Sequence, residues 1–222
     1  MLASGGSSTF TLRYFDFPSR GEATKVLLLL GGAEWEHKVP AWPQERSLQP
    51  VGRLPVLIEH SASDSDDAPF TLSETAAIEY YLATKYGYIY QPTDPKCVAR
   101  QLELRAHICD MYTAFAEWKL GPNEVASKNK KIFNTTAGCV VRFHEQVLKE
   151  NGSNGHYFGS TTTLVDISLF TNILALRTAF SGLDPDMLEL LNSDNAPEMN
   201  KVIDAVSAEP ALASYVAELK KL

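Results

Sequence analysis

The chain has 222 residues, of which 45% are hydrophobic and 21% charged, a composition typical of folded globular proteins and unlike that of disordered ones. Asp and Glu (27) outnumber Lys and Arg (20), and the net charge of -7 argues against a nucleic-acid partner, which needs a clustered basic face. The longest apolar run, at 26–30, is far too short to cross a bilayer. We therefore expect a cytoplasmic protein with no membrane segment.

The cysteines and histidines show no metal-binding pattern. Cys97, Cys109 and Cys139 form no C-x-x-C pair, and the five histidines are equally dispersed. An odd, scattered set of cysteines suits a reducing compartment. We predict no bound metal, and we interpret the three cysteines as buried packing residues.

Strands and helices alternate in the first 90 residues. The predicted elements are a strand at 10–15, a helix at 22–30, strands at 35–39, 54–58 and 70–72, and a helix at 75–86. The acidic stretch 61–67 lies between the last two strands and is interpreted as an enlarged turn. The order strand, helix, strand, hairpin, helix is typical of a thioredoxin-like domain.

Only helical periodicity follows this alternation. The predicted helices cover 96–121, 124–150, 164–180, 186–192 and 198 to the end, with breaks at glycine- and proline-containing segments. We predict a flexible N-terminus at 1–9, a thioredoxin-like α/β domain at 10–90, a linker at 91–95 and an all-α helical C-terminal domain at 96–222.

Several short motifs occur in a fixed order along the first domain. They are Tyr14-Phe15 with Arg20 and Glu22 downstream, then Trp42, Arg46, the segment Gly52-Arg53-Leu54-Pro55-Val56-Leu57, and Glu74-Thr75 at the start of a helix. Together they resemble the tyrosine-type cytosolic glutathione S-transferases of the alpha, mu and pi branch, and the sigma class most of all. The resemblance covers the full chain, and it implies glutathione as co-substrate.

Tyr14 is the candidate catalytic residue that the resemblance implies. A thiol with a pKa near 8.5 is mostly protonated at neutral pH, so a conjugating enzyme has to stabilise the thiolate with a nearby donor. In the family, a tyrosine at the end of the first strand supplies that donor, and Arg20 tunes the local field, although pairing of Arg20 with Glu22 or with an acid of the second domain is also open. Ser19 is the alternative donor, because serine-type members place a hydroxyl near this loop.

The resemblance also implies where glutathione binds. Trp42 and Arg46 are expected against its glycyl end, with Arg46 paired to the carboxylate. A cis Pro55 after Leu54 would let the backbone of Val56 hold the cysteinyl part like an added strand. At the start of the next helix, Glu74 would accept from the γ-glutamyl ammonium, and Thr75 would bind the γ-glutamyl carboxylate, which also suits the positive end of the helix dipole.

A further motif lies in the second domain and is independent of the candidate site. The segment 158–166 resembles the buried helix start of the family, in which Thr163 and Asp166 form a capping box. We interpret it as a folding element.

These features favour a glutathione S-transferase that conjugates the thiolate to small electrophilic apolar substrates. A glutathione-dependent isomerase or peroxidase, and a non-catalytic structural relative, remain open on the same scaffold. The resemblance implies a homodimer in which the partner contributes an acid, either Asp110 or Glu103. Candidates for the acceptor site are a set of aromatic and neighbouring side chains: Phe17, His107, Met111, Tyr112 and Phe115.

Overall fold

The computed structural model describes residues 9–60, 68–178 and 185–219. Its strands are β1 (Thr9–Arg13), β2 (Glu34–Lys38), β3 (Val56–His60) and β4 (Phe70–Ser73). Its α-helices are α1 (Glu22–Leu30), α2 (Thr75–Tyr86), α3 (Pro95–Leu120), α4 (Ala126–Glu150), α5 (Leu164–Thr178), α6 (Pro185–Leu190), α7 (Pro197–Ser207) and α8 (Ala213–Leu219). The expectations for 1–8, for the acidic stretch 61–67 and for the break at 181–184 lie outside the described residues.

The four strands form one mixed sheet in the order β2-β1-β3-β4. β1 runs parallel to β2 and antiparallel to β3, and β3 pairs antiparallel with β4. The strands lie where they were predicted, but most of their ends differ by one or two residues. β3 begins at Val56 because Pro55 has no N–H to donate to a ladder, and β1 ends at Arg13, although Tyr14 N still donates to Lys38 O at 3.1 Å.

Helix α1 connects the sheet to the helical part of the chain. Val26, Leu27 and Leu28 are all fully buried, although three consecutive positions of a helix point in different directions. The reason is that α1 contacts both α2 and α5, so more than one of its faces is covered. One continuous buried cluster consequently runs from β1 through α1 to α5.

Helix α5 is the most buried element of the helical part, and the predicted motif holds its N-terminus. The Asp166 carboxylate accepts from Thr163 N at 2.7 Å, from Thr163 Oγ1 at 2.5 Å and from Tyr157 N at 2.9 Å. The back-bond of a capping box is therefore present, while the threonine hydroxyl donates to Asp166 instead of accepting from the backbone. Burial raises the pKa of Asp166, and these hydrogen bonds oppose the rise.

The fold class is the one predicted, a four-stranded mixed sheet with its helices followed by a helical domain. The prediction for the cysteines is wrong. Cys139 is exposed on α4, and Cys97 and Cys109 on α3 are only partly buried. Within the described residues no helix has the length and apolar character needed to cross a membrane.

Candidate active site

A cleft of about 210 Å³ opens where the N-termini of α1 and α2 face α3 and α5. It is lined by Ser19, Arg20, Ala23, Glu74, Thr75, Ala76, Glu79, Arg105, Cys109, Tyr112, Thr113, Thr171 and Asn172. Three of the predicted site residues, Arg20, Glu74 and Thr75, therefore meet in one concave space. The N-termini of two helices point into it, which favours an anionic group.

Tyr14 lies beside this cleft, with its ring packed beneath the start of α1. The ring fits there because Gly21 has no side chain. A Cβ at position 21 would lie only 2.4 Å from Tyr14 Cδ1. Burial raises the pKa of Tyr14 to about 12, and the Ser19 hydroxyl and the Arg20 backbone N–H oppose the rise only in part. The phenol is therefore protonated at neutral pH, so it acts as a hydrogen-bond donor and not as a base.

The alternative donor, Ser19, is part of the same cluster of hydroxyl groups. Its Oγ lies 2.5 Å from the hydroxyl of Tyr112, and it also lies close enough to Tyr14 to lower the phenol pKa. Tyr112 belongs to α3, so this cluster joins the two parts of the fold. The sequence had suggested Tyr112 only for the acceptor site.

Arg20 projects toward α3 from the exposed rim of the cleft. Its Nη2 lies 3.5 Å from Thr113 Oγ1. The suggested pairing with Glu22 is absent among the described contacts, because Glu22 is bound instead by Lys25 at 2.8 Å and by the Tyr215 hydroxyl at 2.5 Å. The guanidinium therefore remains available to an anion in the cleft.

The turn into α2 has an unusual backbone. Glu74 adopts φ 74° and ψ 120°, a conformation that is rare and costly for a residue with a side chain. It places Thr75 at the first position of α2, where backbone N–H groups have no partner within the helix. The Glu74 side chain is exposed, with Arg53 Nη1 at 4.0 Å from its carboxylate.

The segment before β3 has the geometry that the resemblance implied. The Leu54–Pro55 peptide bond is cis, as expected, and Pro55 is buried while Leu54 is half-buried. Val56 lies opposite Arg13 of β1 and Ser73 of β4, at the first position of β3.

Trp42 and Arg46 lie apart from the cleft, in the connection between β2 and β3. Trp42 packs edge-on against Phe15 at 5.4 Å, and Phe15 stacks on Phe17 at 5.3 Å. Arg46 is exposed, and its Nε donates to Gly52 O at 3.2 Å. The Trp42–Pro43 bond is also cis, which the sequence did not suggest.

The suggested acceptor residues are not brought together. Met111 and Phe115 are buried in the core, and His107 packs against Phe143 at 5.5 Å. Phe17, which is half exposed, lines a second hollow of about 410 Å³ whose other wall includes residues of α8. Of this set only Tyr112 lines the cleft.

Sequence reasoning missed Glu79 and Arg105 at the bottom of the cleft. They form a buried ion pair, and both occur in helices where a charged residue normally faces solvent. No motif marked them, so only their ion pair in the folded chain identifies them. The described residues contain no group of three or more His, Cys, Asp or Glu side chains able to hold a metal ion.

The fold and the site together define a class of protein with a thioredoxin-like half, a helical half and a hydroxyl-lined cleft between them. Residues 109–218 match the family model described as the C-terminal domain of glutathione S-transferase. The glutathione S-transferase class-mu 28 kDa isozyme of Schistosoma japonicum is 26% identical over 93% of this chain and 96% of its own length. A putative glutathione S-transferase alpha-2 of Dictyostelium discoideum is 23% identical, covering 96% of both chains.

The solved structures agree on the fold. The sigma class glutathione S-transferase of Fasciola hepatica superposes with a TM-score of 0.77 at 22% identity, covering 95% of this chain and 96% of its own. The comparisons support a glutathione S-transferase, because residues 109–218 match a domain of that family and the relatives named above carry that name over nearly their whole length.

Proposed function

We propose that the protein is a glutathione transferase in which Tyr14 stabilises the thiolate of bound glutathione. The observation that carries this proposal is the hydroxyl cluster of Tyr14 and Ser19, next to a cleft into which the N-termini of α1 and α2 open. The family relationship supports the same reaction. Glutathione is the co-substrate, and the second substrate is a small electrophilic apolar molecule.

Each remaining part of glutathione has a proposed partner. The cysteinyl part lies along the backbone of Val56, next to the cis Pro55. The γ-glutamyl carboxylate binds the hydroxyl and N–H of Thr75, and Glu74 and Arg20 contribute charges at the same end. Leu54, Trp42 and Arg46 serve the glycyl side, where Arg46 would have to exchange its contact with Gly52 for the carboxylate.

The reaction then needs only a nucleophile and an electrophile. The thiol gives its proton to solvent, and the Tyr14 hydroxyl donates a hydrogen bond to the sulfur. The sulfur forms a bond to an electrophilic carbon, and the leaving group departs with its bonding electrons. This route requires no metal and no redox cofactor.

Substitution of Tyr14 by Phe tests the role of the phenol. A hydrogen bond to a charged acceptor contributes about 1.5–3 kcal/mol, so we expect the pKa of the bound thiol to rise by about 1 to 2. Turnover should fall by about tenfold or more at neutral pH, while affinity for glutathione stays nearly unchanged. Titration of the thiolate by ultraviolet absorbance, together with steady-state kinetics, measures both effects.

Ser19→Ala is the matched variant. If Ser19 were the donor, the thiol pKa would rise in Ser19→Ala and remain unchanged in Tyr14→Phe. Glutathione binding without conjugation of any of several electrophiles would favour the non-catalytic alternative.

We further propose that the protein is a cytoplasmic homodimer whose partner subunit contributes an acid from α3, either Asp110 or Glu103.

A further inference from the structure

A buried ion pair joins α2 to α3 at the bottom of the cleft. Arg105 Nε donates to Glu79 Oε2 at 2.6 Å, and the two side chains are only 8% and 4% exposed. Both residues line the same cleft as Glu74 and Thr75. Glu79 follows Thr75 by four residues on α2, so the two side chains share one face of that helix.

This pair uses only part of its hydrogen-bonding capacity. A guanidinium has five N–H donors and a carboxylate has two acceptor oxygens. Among the described residues, the hydrogen bond from Nε to Oε2 joins the two side chains, and none of their other polar atoms is both buried and without a partner. Removal of two charges from water is costly, and one hydrogen bond offsets only part of the cost. A polar ligand in the cleft would bond to the polar atoms of this pair that the Nε–Oε2 bond does not use.

We propose that Glu79 and Arg105 bind the γ-glutamyl end of glutathione, with Glu79 accepting a hydrogen bond from its ammonium group. This inference rests on the proposed function and adds two binding residues to it. The γ-glutamyl end carries an ammonium and a carboxylate on one carbon, so its two charges complement a neighbouring carboxylate and guanidinium. Arg105 is then a second cation, beside Arg20, for the ligand carboxylate.

Burial makes Glu79 a stronger partner for the ammonium than Glu74. The Glu74 side chain is 61% exposed, so water competes for it and salt screens it. Glu79 lies at the bottom of the cleft, where the effective dielectric constant is lower and a charged hydrogen bond contributes more. Because Glu79 belongs to the same chain as Thr75, it would supply a carboxylate to this subsite without any partner subunit.

A purely structural ion pair between α2 and α3 is the competing explanation. Such a pair would hold the walls of the cleft in place, so its loss would weaken every ligand of the site alike. A binding role predicts that loss of Glu79 weakens only those ligands that carry the ammonium group, because Glu79 would contact that group directly. The two explanations therefore predict different losses of affinity for glutathione and for a glutathione analogue that lacks the ammonium.

The test is a double-mutant cycle between Glu79 and that ammonium. Calorimetry measures the affinity of the full chain, with and without Glu79→Gln, for S-hexylglutathione and for the same compound with hydrogen in place of the amino group. Gln keeps the size of Glu and still accepts from Arg105. We expect Glu79→Gln to weaken binding of the amino form by about tenfold or more, and of the deamino form by less than about twofold.

Two further variants serve as controls. Glu198→Gln removes another buried carboxylate, which pairs with Lys201 at 3.0 Å outside the cleft, and it should leave both affinities unchanged. Glu74→Gln should cause a smaller selective loss than Glu79→Gln. If Glu79→Gln does not fold, Glu79→Asp, which keeps the charge but withdraws it by one methylene, is measured in the same way and should again weaken only the amino form.

The possible outcomes separate this inference from the proposed function. Equal weakening of both ligands by the Glu79 variant, or no weakening of either, would overturn the role of Glu79 while leaving glutathione binding established. If the unmodified protein binds neither ligand, the proposed function fails together with this inference.

Discussion

The position of the Tyr14 ring depends on the absence of a side chain at Gly21. Gly21 has φ -82°, a conformation that every residue adopts, so the backbone does not require glycine there. The requirement is steric, because the ring of Tyr14 occupies the volume of a Cβ. Gly21, which has no functional side chain, therefore determines the position of Tyr14, the proposed hydrogen-bond donor to the thiolate.

Gly21→Ala should displace the Tyr14 ring and lower turnover, while the protein remains folded. Overpacking of this kind costs about 1–3 kcal/mol of stability. Kinetics, a thermal melt and a crystal structure of the variant would measure the effect. Gly32→Ala is the contrast, because Gly32 has φ 61° and open space around it, so its replacement should cost backbone strain without changing turnover. Full activity in Gly21→Ala would contradict the steric argument.

A single carboxylate, that of Asp166, accepts the hydrogen bonds that hold the N-terminus of α5 in place. Asp166 is fully buried and satisfies two backbone N–H groups as well as the Thr163 hydroxyl. Because α5 contacts α1, α2, α3 and α7, the position of this helix start affects the whole interior. The capping motif is therefore a folding element, as its sequence suggested, and it takes no part in the cleft.

Asp166→Ala should lower the free energy of unfolding by about 2–4 kcal/mol, because it leaves buried N–H groups without an acceptor. Denaturant titration measures the loss. Thr161→Ala, at an exposed position of the same loop, should change stability by no more than about 0.5 kcal/mol. Equal losses in the two variants would show that Asp166 has no special role.

The molecule as a whole is held together by contacts between its two halves. Leu164 N donates to Tyr88 O at 2.8 Å, and the Tyr215 hydroxyl of α8 donates to Glu22 of α1 at 2.5 Å. The division into domains at 10–90 and 96–222, with a linker at 91–95, stays a proposal. Whichever residue marks the boundary, the cleft lies between α2 and α3, so it exists only when both halves are folded.

His144 makes the stability of the whole molecule depend on pH. It is completely buried, and burial, aided by the nearby His107, lowers its pKa to about 3. The imidazole of an unfolded histidine has a pKa of about 6.5. Below that pH, His144 is protonated in the unfolded chain but stays neutral in the folded protein. His144 therefore costs no stability above about pH 6.5 and lowers the free energy of unfolding progressively as the pH decreases toward about 3.

His144→Gln should remove this part of the pH dependence. Between about pH 7 and about pH 5, the unmodified protein should lose about 2 kcal/mol more of its unfolding free energy than the variant does. Urea titrations at both pH values measure the difference, and a histidine NMR titration reports the pKa itself. Identical losses in the two proteins would show that His144 titrates normally in the folded state.

The sequence by itself determined the order of elements, the fold class, the cis bond at Pro55 and the capping role of Asp166. The order of elements and the fold class follow from hydrophobic period and from proline and glycine placement. The cis bond and the capping role were implied by the resemblance to a known family, since an ordinary X-Pro bond is trans. The predicted ends of the strands were less accurate, because a strand ends where its pairing with a neighbouring strand ends. β1 is limited by its register with β3, and β3 starts after Pro55, which has no N–H to donate.

Only the tertiary structure decided which side chains meet. Glu74 and Arg105 are 31 residues apart and Arg105 and Asn172 are 67 apart, so the sequence gives no hint that the three border one cleft. The burial of Glu79 against Arg105 contradicts the usual exposure of helix charges. The same holds for Ser19 and Tyr112, whose hydroxyls meet across the two halves. The physical reason is that packing of α1 and α2 against α3 and α5 is non-local, so it leaves no period or motif in the sequence.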